Sequence, residues 1–521
     1  MRVTRASARR GLAAAGATAA FAVALAVAHT PQAALAQTAC EALGQHALPN
    51  ARVLTATAVG AGQFESPGGR AGDVPFTALP AFCRVEVSLH PTSDSDIRVE
   101  LWLPASGWNR AFLGVGNRGW GGSISYGLLA EGLAAGYASV STDTGHRGGG
   151  AEFARGHSER VVDAGWRAVH EMTVRAKQLT TTFYGSAPRR SIWNGCSLGG
   201  RQGLMEAQRF PEDYDAVIAG DPASNLTDLY ASRLAWWQAS RGDGEPVSAQ
   251  TFRIVHDAVL AQCDAADGVR DGVVENPAAC RVDPGTLACP ASGGGAACLS
   301  PGQVTAVRSL WSPVRLPNGG RLLSEGFAPG SESGWAAVAG AQPENNAVGL
   351  FRFVVTGDAA WDPRVFDLAK DVSRAAGAAG VLDAVDPDLR PFFARGGKLL
   401  LYHGWADPQT PPGNTIAYRQ RVLETSGGDA TDHLRLFMVP GMGHCEGGPG
   451  TDRFDEVGAM ARWLDSGVAP PSIEAAHATS GRVDRTRPLC AFGTVAGWDG
   501  RGDPDAGSSF TCVATPQQVR P

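Results

Sequence analysis

The chain has no excess of positive charge. Its 45 lysines and arginines stand against 51 aspartates and glutamates, a formal net charge of −6 at pH 7. A nucleic-acid binder would carry a basic stripe, so no nucleic-acid partner is expected. Charged residues of both signs make up only 18% of the chain, while apolar residues reach 44%, enough for a sizeable core. No internal repeat is evident, which leaves out solenoids. The 67 glycines and 33 prolines argue for many turns and long surface loops, against a coiled coil. Beyond the first residues no apolar run approaches the length of a transmembrane helix, so no membrane span is expected after leader cleavage. At 521 residues the chain could hold two to four domains, or one enzyme core with a large insertion.

The N-terminus reads as a leader. Arg2, Arg5, Arg9 and Arg10 form a positive region, and an Ala/Val/Phe-rich stretch follows over residues 11–27. Ala34-Leu35-Ala36 then offers a small-x-small cleavage site, giving a secretory signal over residues 1–36. The Arg9-Arg10 pair leaves a twin-arginine route open. The mature chain is expected to be secreted or periplasmic, where its ten cysteines can pair. Connectivity cannot be deduced from spacing alone. Nearness in sequence nonetheless suggests Cys263 with Cys280, Cys289 with Cys298, and Cys490 with Cys512. Cys40 with Cys83 would tie the mature N-terminus to an early strand, and Cys196 and Cys445 remain.

Residues 83–89, 97–103, 111–115, 137–141 and 190–194 have strand patterns, and residues 161–183 have helical spacing. Strands alternating with helices predict a mostly parallel sheet covered on both faces. The alternation fades after Asp221-Pro222 and resumes with apolar runs at 398–404 and 434–439. The organisation expected is a catalytic domain over residues 37–223 and 396–521, with an inserted lid over residues 224–395.

Gly195-Cys196-Ser197-Leu198-Gly199 sits between a strand and a helix and fits the G-x-S-x-G nucleophile elbow. A tight strand-to-helix turn pushes the serine oxygen out of the sheet, and small neighbours permit the turn. The Leu198 amide at the helix N-terminus can then stabilise an oxyanion. Asp407 follows the strand at 398–404, and His444 follows the strand at 434–439. The serine needs a base, and the imidazole needs a carboxylate to fix its tautomer. The chain order Ser197, Asp407, His444 is that of an α/β-hydrolase, so an α/β-hydrolase core with an inserted lid domain is expected. Cys196 precedes the serine and Cys445 follows the histidine. A disulfide between them would staple nucleophile to base, contributing about 4–5 kcal/mol in the chain-entropy picture.

Cys-Ser at 196–197, His-Gly-Trp-Ala-Asp-Pro at 403–408 and Gly-Met-Gly-His-Cys at 441–445 resemble the tannase and feruloyl esterase family. That family also contains the mono(2-hydroxyethyl) terephthalate hydrolases. Asp143-Thr144-Gly145-His146 and Ala219-Gly220-Asp221-Pro222-Ala223 add to the likeness, which covers nearly the whole mature chain. The resemblance implies hydrolysis of esters of aromatic acids and a lid inserted after the strand that follows the nucleophile helix. A second oxyanion amide is expected in the turn Gly116-Asn117-Arg118-Gly119-Trp120. Gly119 is the choice, although any residue of that turn could serve.

The run from Cys263 to Val273 concentrates carboxylates in a glycine-containing loop that suits Ca²⁺, though its spacing is not that of an EF-hand. By resemblance to the family's lid calcium site, Asp264, Asp267 and Asp271 would bind through carboxylates. Val269 and Val273 would bind through backbone carbonyls, and the metal would be structural. Trp335, Phe351, Phe353 and Trp361 are aromatic candidates for an acyl pocket, or for the lid's own core. The expected activity is a feruloyl esterase-like serine carboxylesterase acting as a monomer on a small aromatic ester. Tannase (galloyl ester) and mono(2-hydroxyethyl) terephthalate hydrolase activities are the alternatives. A non-catalytic binding protein on the same scaffold is the rival of another class; no triad member is missing to support it.

Overall fold

Runs such as Leu399-Leu400-Leu401-Tyr402 have no polar side to turn towards water, so a strand made of them must be covered on both faces. The computed structural model describes residues 31–67, 72, 74–241, 246–291, 297–427 and 429–515. The expected leader falls mostly on residues 1–30, outside the described residues. Among the described residues no helix is long and apolar enough to cross a membrane.

Nine strands form the central sheet: β1 (Ala51–Val59), β2 (Phe82–Leu89), β3 (Ile97–Pro104), β4 (Ala111–Val115), β5 (Ala138–Thr142), β6 (Arg190–Cys196), β7 (Ala216–Gly220), β8 (Lys398–Gly404) and β9 (Leu434–Val439). Their spatial order is β1-β2-β3-β5-β4-β6-β7-β8-β9. The first four positions pair antiparallel, and from β5 onward every pair is parallel. Leu399 and Leu401 point into one apolar layer, with Met172 and Leu179 of the helix Ala168–Tyr184 and Leu204 of the helix Leu198–Arg209. Leu400 and Tyr402 point into the other, with Leu129 and Trp463. Each such fully buried side chain contributes about 1.5–3 kcal/mol.

Two elements differ from the sequence pattern. β1 is an edge strand with mixed burial, whose threonines and alanines give little hydrophobic alternation. The helical stretch before Tyr184 is interrupted by a wide turn of i→i+5 type at Asp163–Arg167. Residues 221–397 lie between two strands paired in parallel, β7 and β8, and the described ones among them add no strand to the sheet. They bury two apolar clusters, one around Leu229, Phe351 and Trp361 that also takes in Trp120 and Ala151, another around Trp236, Phe252 and Trp335. The C-terminal hairpins Ser472–Thr479 with Arg482–Cys490 and Thr494–Trp498 with Phe510–Ala514 pack Phe510 and Cys490 against Val269 of the acidic loop.

All five suggested cysteine pairs are disulfides: Cys40–Cys83, Cys196–Cys445, Cys263–Cys280, Cys289–Cys298 and Cys490–Cys512.

Candidate active site

Ser197 closes the turn from β6 into the helix Leu198–Arg209, with φ 63° and ψ −118°. That left-handed backbone is costly for a residue with a Cβ and is held only by surrounding contacts. The glycines show why side chains are excluded here. A Cβ on Gly195 would lie 2.6 Å from the Gly199 carbonyl carbon, and one on Gly116 would lie 2.5 Å from the Gly199 Cα. Backbone therefore stacks on backbone, bringing the turn after β4 against the elbow. Two further bonds lock the turn: Gly199 N donates to Asn117 O at 2.8 Å, and Asn117 N donates to Gln202 Oε1 at 3.0 Å. Among the described residues the amides of Leu198 and Gly119 donate no hydrogen bond, and both residues line the cavity over Ser197.

His444 Nε2 lies 2.7 Å from Ser197 Oγ, and His444 Nδ1 lies 2.7 Å from Asp407 Oδ2. Asp407 is fully buried; its other oxygen accepts from Gln409 N at 2.7 Å and Thr410 N at 2.9 Å. Burial opposes ionisation of Asp407, but the facing His444 and His403 rings outweigh it and hold the carboxyl below its ordinary range. The Cys196–Cys445 disulfide, with its Cα atoms 5.9 Å apart, joins the residues flanking Ser197 and His444.

Two further residues lie behind this line, and their chemistry was not legible in the sequence. Asp221 follows β7 at φ 37° and is fully buried. Its Oδ1 accepts from Gly404 N at 2.9 Å and its Oδ2 from Cys445 N at 3.2 Å. The Cys196 sulfur, which as half of a disulfide has no proton to give, lies 3.2 Å from Oδ2. The fully buried His403 ring places Nε2 3.4 Å from Asp221 Oδ1 and 3.3 Å from Asp407 Oδ2. Both residues belong to motifs that sequence reading singled out, but their partners are contributed by other loops.

The cavity above Ser197 has a volume of about 330 Å³ and is lined by Leu226, Tyr230, Arg233, Asn346 and Gln409, with Arg118 and Glu446 among its other walls. Arg233 is nearly buried, donates to Glu344 Oε2 at 3.0 Å, and lies 5.1 Å from the Tyr230 ring. The four aromatic candidates do not line it. Trp335, Phe351 and Trp361 are buried in those two apolar clusters, and Phe353 packs against one of them. Large apolar rings gain more from filling a core than from edging a polar cavity.

In the acidic loop, Asp264, Asp267 and Asp271 accept from the loop amides of Asp271, Val269 and Val273 at 3.1, 3.0 and 3.2 Å. Burial pushes the Asp267 carboxyl up, and the charges of Asp271 and Asp264 add to it. Val269 and Val273 are buried, and among the described residues their carbonyls accept no hydrogen bond. Mutually repelling carboxylates beside orphaned carbonyls fit a hard cation with oxygen ligands. Arg487, 3.0 Å from Asp271, is the nearest protein counter-charge. A second cluster, His170, Glu206 and Asp213, carries its own cation, since the Lys177 ammonium donates to Asp213 O.

A family model described as tannase and feruloyl esterase matches residues 83–513. An uncharacterized esterase of Xanthomonas campestris is 37% identical over 92% of this chain and 92% of its own length. A probable feruloyl esterase B of Aspergillus clavatus is 32% identical over 92% of this chain and 96% of its own. The crystal structure of feruloyl esterase B from Aspergillus oryzae has a TM-score of 0.84 at 30% identity, covering 92% of this chain and all of that one. Tannin acyl hydrolase from Aspergillus niger shares the fold, with a TM-score of 0.75 at 21% identity. With its elbow, its sheet order and these likenesses together, the chain belongs to the tannase and feruloyl esterase family and is a carboxylic ester hydrolase of the α/β-hydrolase fold.

Proposed function

We propose that this esterase cleaves esters of aromatic, hydroxycinnamic-type acids through an acyl-enzyme on Ser197. The observation that carries the reading is the unbroken line of contacts from Ser197 Oγ through the His444 ring to Asp407, each 2.7 Å long. His444 Nε2 takes the serine proton as Oγ attacks the ester carbonyl, and Asp407 stabilises the imidazolium. The unbonded amides of Leu198 and Gly119 receive the oxyanion. His444 then gives its proton to the departing alkoxide, and a water repeats the sequence on the acyl-enzyme. A galloyl-type ester is the second reading, favoured by the polar lining of Arg233, Asn346 and Gln409.

Residues 224–395 act in this reading as the lid that shapes the acyl pocket. Asp264, Asp267 and Asp271, with the carbonyls of Val269 and Val273, would hold a structural Ca²⁺ supplying charge neutralisation to the loop. Five disulfides in a chain with a leader-like N-terminus support export to an oxidising compartment. The test is acid release from methyl ferulate, which Ser197→Ala should reduce by at least about 10³-fold while the protein stays folded. Turnover near wild type in that variant would refute the assignment.

A further inference from the structure

The triad's aspartate does not face one histidine but two. His403 Nε2 lies 3.3 Å from Asp407 Oδ2, the same oxygen that meets His444 Nδ1 at 2.7 Å. The same His403 nitrogen lies 3.4 Å from Asp221 Oδ1, and the two Asp221 oxygens accept from Gly404 N and Cys445 N. Ser197, His444, Asp407, His403 and Asp221 thus form one continuous line, closed back on Ser197 through Cys445 and Cys196.

We propose that His403 is a positioning residue held as a buried imidazolium between Asp221 and Asp407, where its charge lowers the proton affinity of the His444–Asp407 pair. The inference rests on the serine-esterase reading of that pair.

Three observations support it. First, both carboxylates are placed to be ionised. Asp221 accepts one amide on each oxygen, and although burial pushes its carboxyl up to about 6, it is ionised at pH 7. Second, two buried carboxylates with a neutral ring between them would leave two uncompensated charges, a cost that proteins avoid. With His403 charged, the line carries one net negative charge at rest and none when His444 takes the serine proton. Third, the ring can bear the charge. Nδ1 lies 2.8 Å from Thr415 Oγ1, a hydroxyl able to accept, and Nε2 keeps its carbonyl. Burial alone would lower the His403 pKa, but Asp221 and Asp407 overcome it and raise it. The charged groups facing the ring are Asp221 after β7 and Asp407 after β8, with His444 on the other side of Asp407.

The sign of the effect follows. His444 must be neutral to accept the serine proton, so the acid limb of kcat/KM reports its ionisation in the free enzyme. A positive charge beside Asp407 weakens that carboxylate's hold on a proton shared with the facing ring. His403→Gln keeps a donor for Thr410 O and removes the charge. It should move the acid limb to higher pH by about one unit. A neutral, merely packed His403 would leave the limb in place even if the variant were less stable. Independently, ¹⁵N shifts of the histidine rings in the folded Ser197→Ala protein at pH 7 should show both His403 nitrogens protonated. An imidazolium together with a shifted limb supports the proposal. A neutral ring at pH 7, or an unmoved limb in a folded His403→Gln enzyme, overturns it. If that variant does not fold, the nitrogen shifts decide. These failures are distinct from failure of the esterase reading, which would appear as turnover surviving in Ser197→Ala.

Discussion

At the scale of single residues, burial rather than charge pairing sets much of the electrostatics. Asp143, in the loop after β5, is buried and accepts from Arg98 N and Gly145 N on one oxygen, at 2.9 Å each. Burial pushes its carboxyl up to about 6, and the two amides only partly offset this. The folded state therefore keeps this proton over a window in which the unfolded chain, near 3.8, has released it. Stability falls as pH rises through that window and stays lower above it. Asparagine can accept both amides on its own Oδ1 without a charge. Asp143→Asn should thus be more stable than wild type by about 1–3 kcal/mol at pH 7, with no advantage at pH 3. Urea unfolding at the two pH values measures this, and equal stability at pH 7 would show that the carboxylate is better solvated than its burial implies. Ser197, Asp407 and His444 were legible in the sequence because each sits in a short local pattern at a strand end. Asp221 and His403 were visible only as letters of a motif, since what they do depends on atoms that other loops bring to them.

At the scale of elements, the elbow is a junction of three loops, not a single turn. The glycines of β6, of the helix after it and of the turn after β4 touch through bare backbone. The disulfide adds the histidine loop to the junction across a sequence separation of 249 residues. Chain entropy puts the contribution of so long a loop at about 5 kcal/mol. Cys196→Ala with Cys445→Ala should lower the melting temperature and reduce kcat, because the His444 loop loses its tie to the Ser197 turn. Calorimetry and turnover together check this, and an enzyme unchanged in both would mean that hydrogen bonds alone hold the loop. The parallel strands β4 to β9 were mostly readable from their apolar runs. β1 was not, because an edge strand held largely by its ladder needs little hydrophobic alternation.

At the scale of the whole molecule, the insertion is tied to the catalytic core at more than one point. Arg201, fully buried in the helix Leu198–Arg209, donates to Leu382 O at 2.9 Å, at the end of the helix Leu368–Leu382. The acidic loop contacts the C-terminal hairpin through Arg487 on Asp271 and through the apolar contact of Val269 with Phe510. A cation in that loop would stabilise both segments together. Chelation should therefore lower the melting temperature by several degrees, and Asp267→Asn should remove the response. A flat response to chelator in the wild-type protein would count against the metal. The break in strand-helix alternation in the sequence coincides with the segment between β7 and β8. Which of its residues line the cavity was not legible, because burial within the insertion and exposure to the pocket draw on the same aromatic types.

The central claim is that Ser197 carries aromatic acyl groups. Its most direct test is acid release from methyl ferulate, methyl gallate and mono(2-hydroxyethyl) terephthalate, side by side, by the calcium-supplied enzyme and by Ser197→Ala. The account predicts turnover strongest on the ferulate ester and lost in the variant. Turnover of none of the three by folded wild-type protein would contradict the aromatic-ester reading, and turnover surviving in Ser197→Ala would contradict the nucleophile itself.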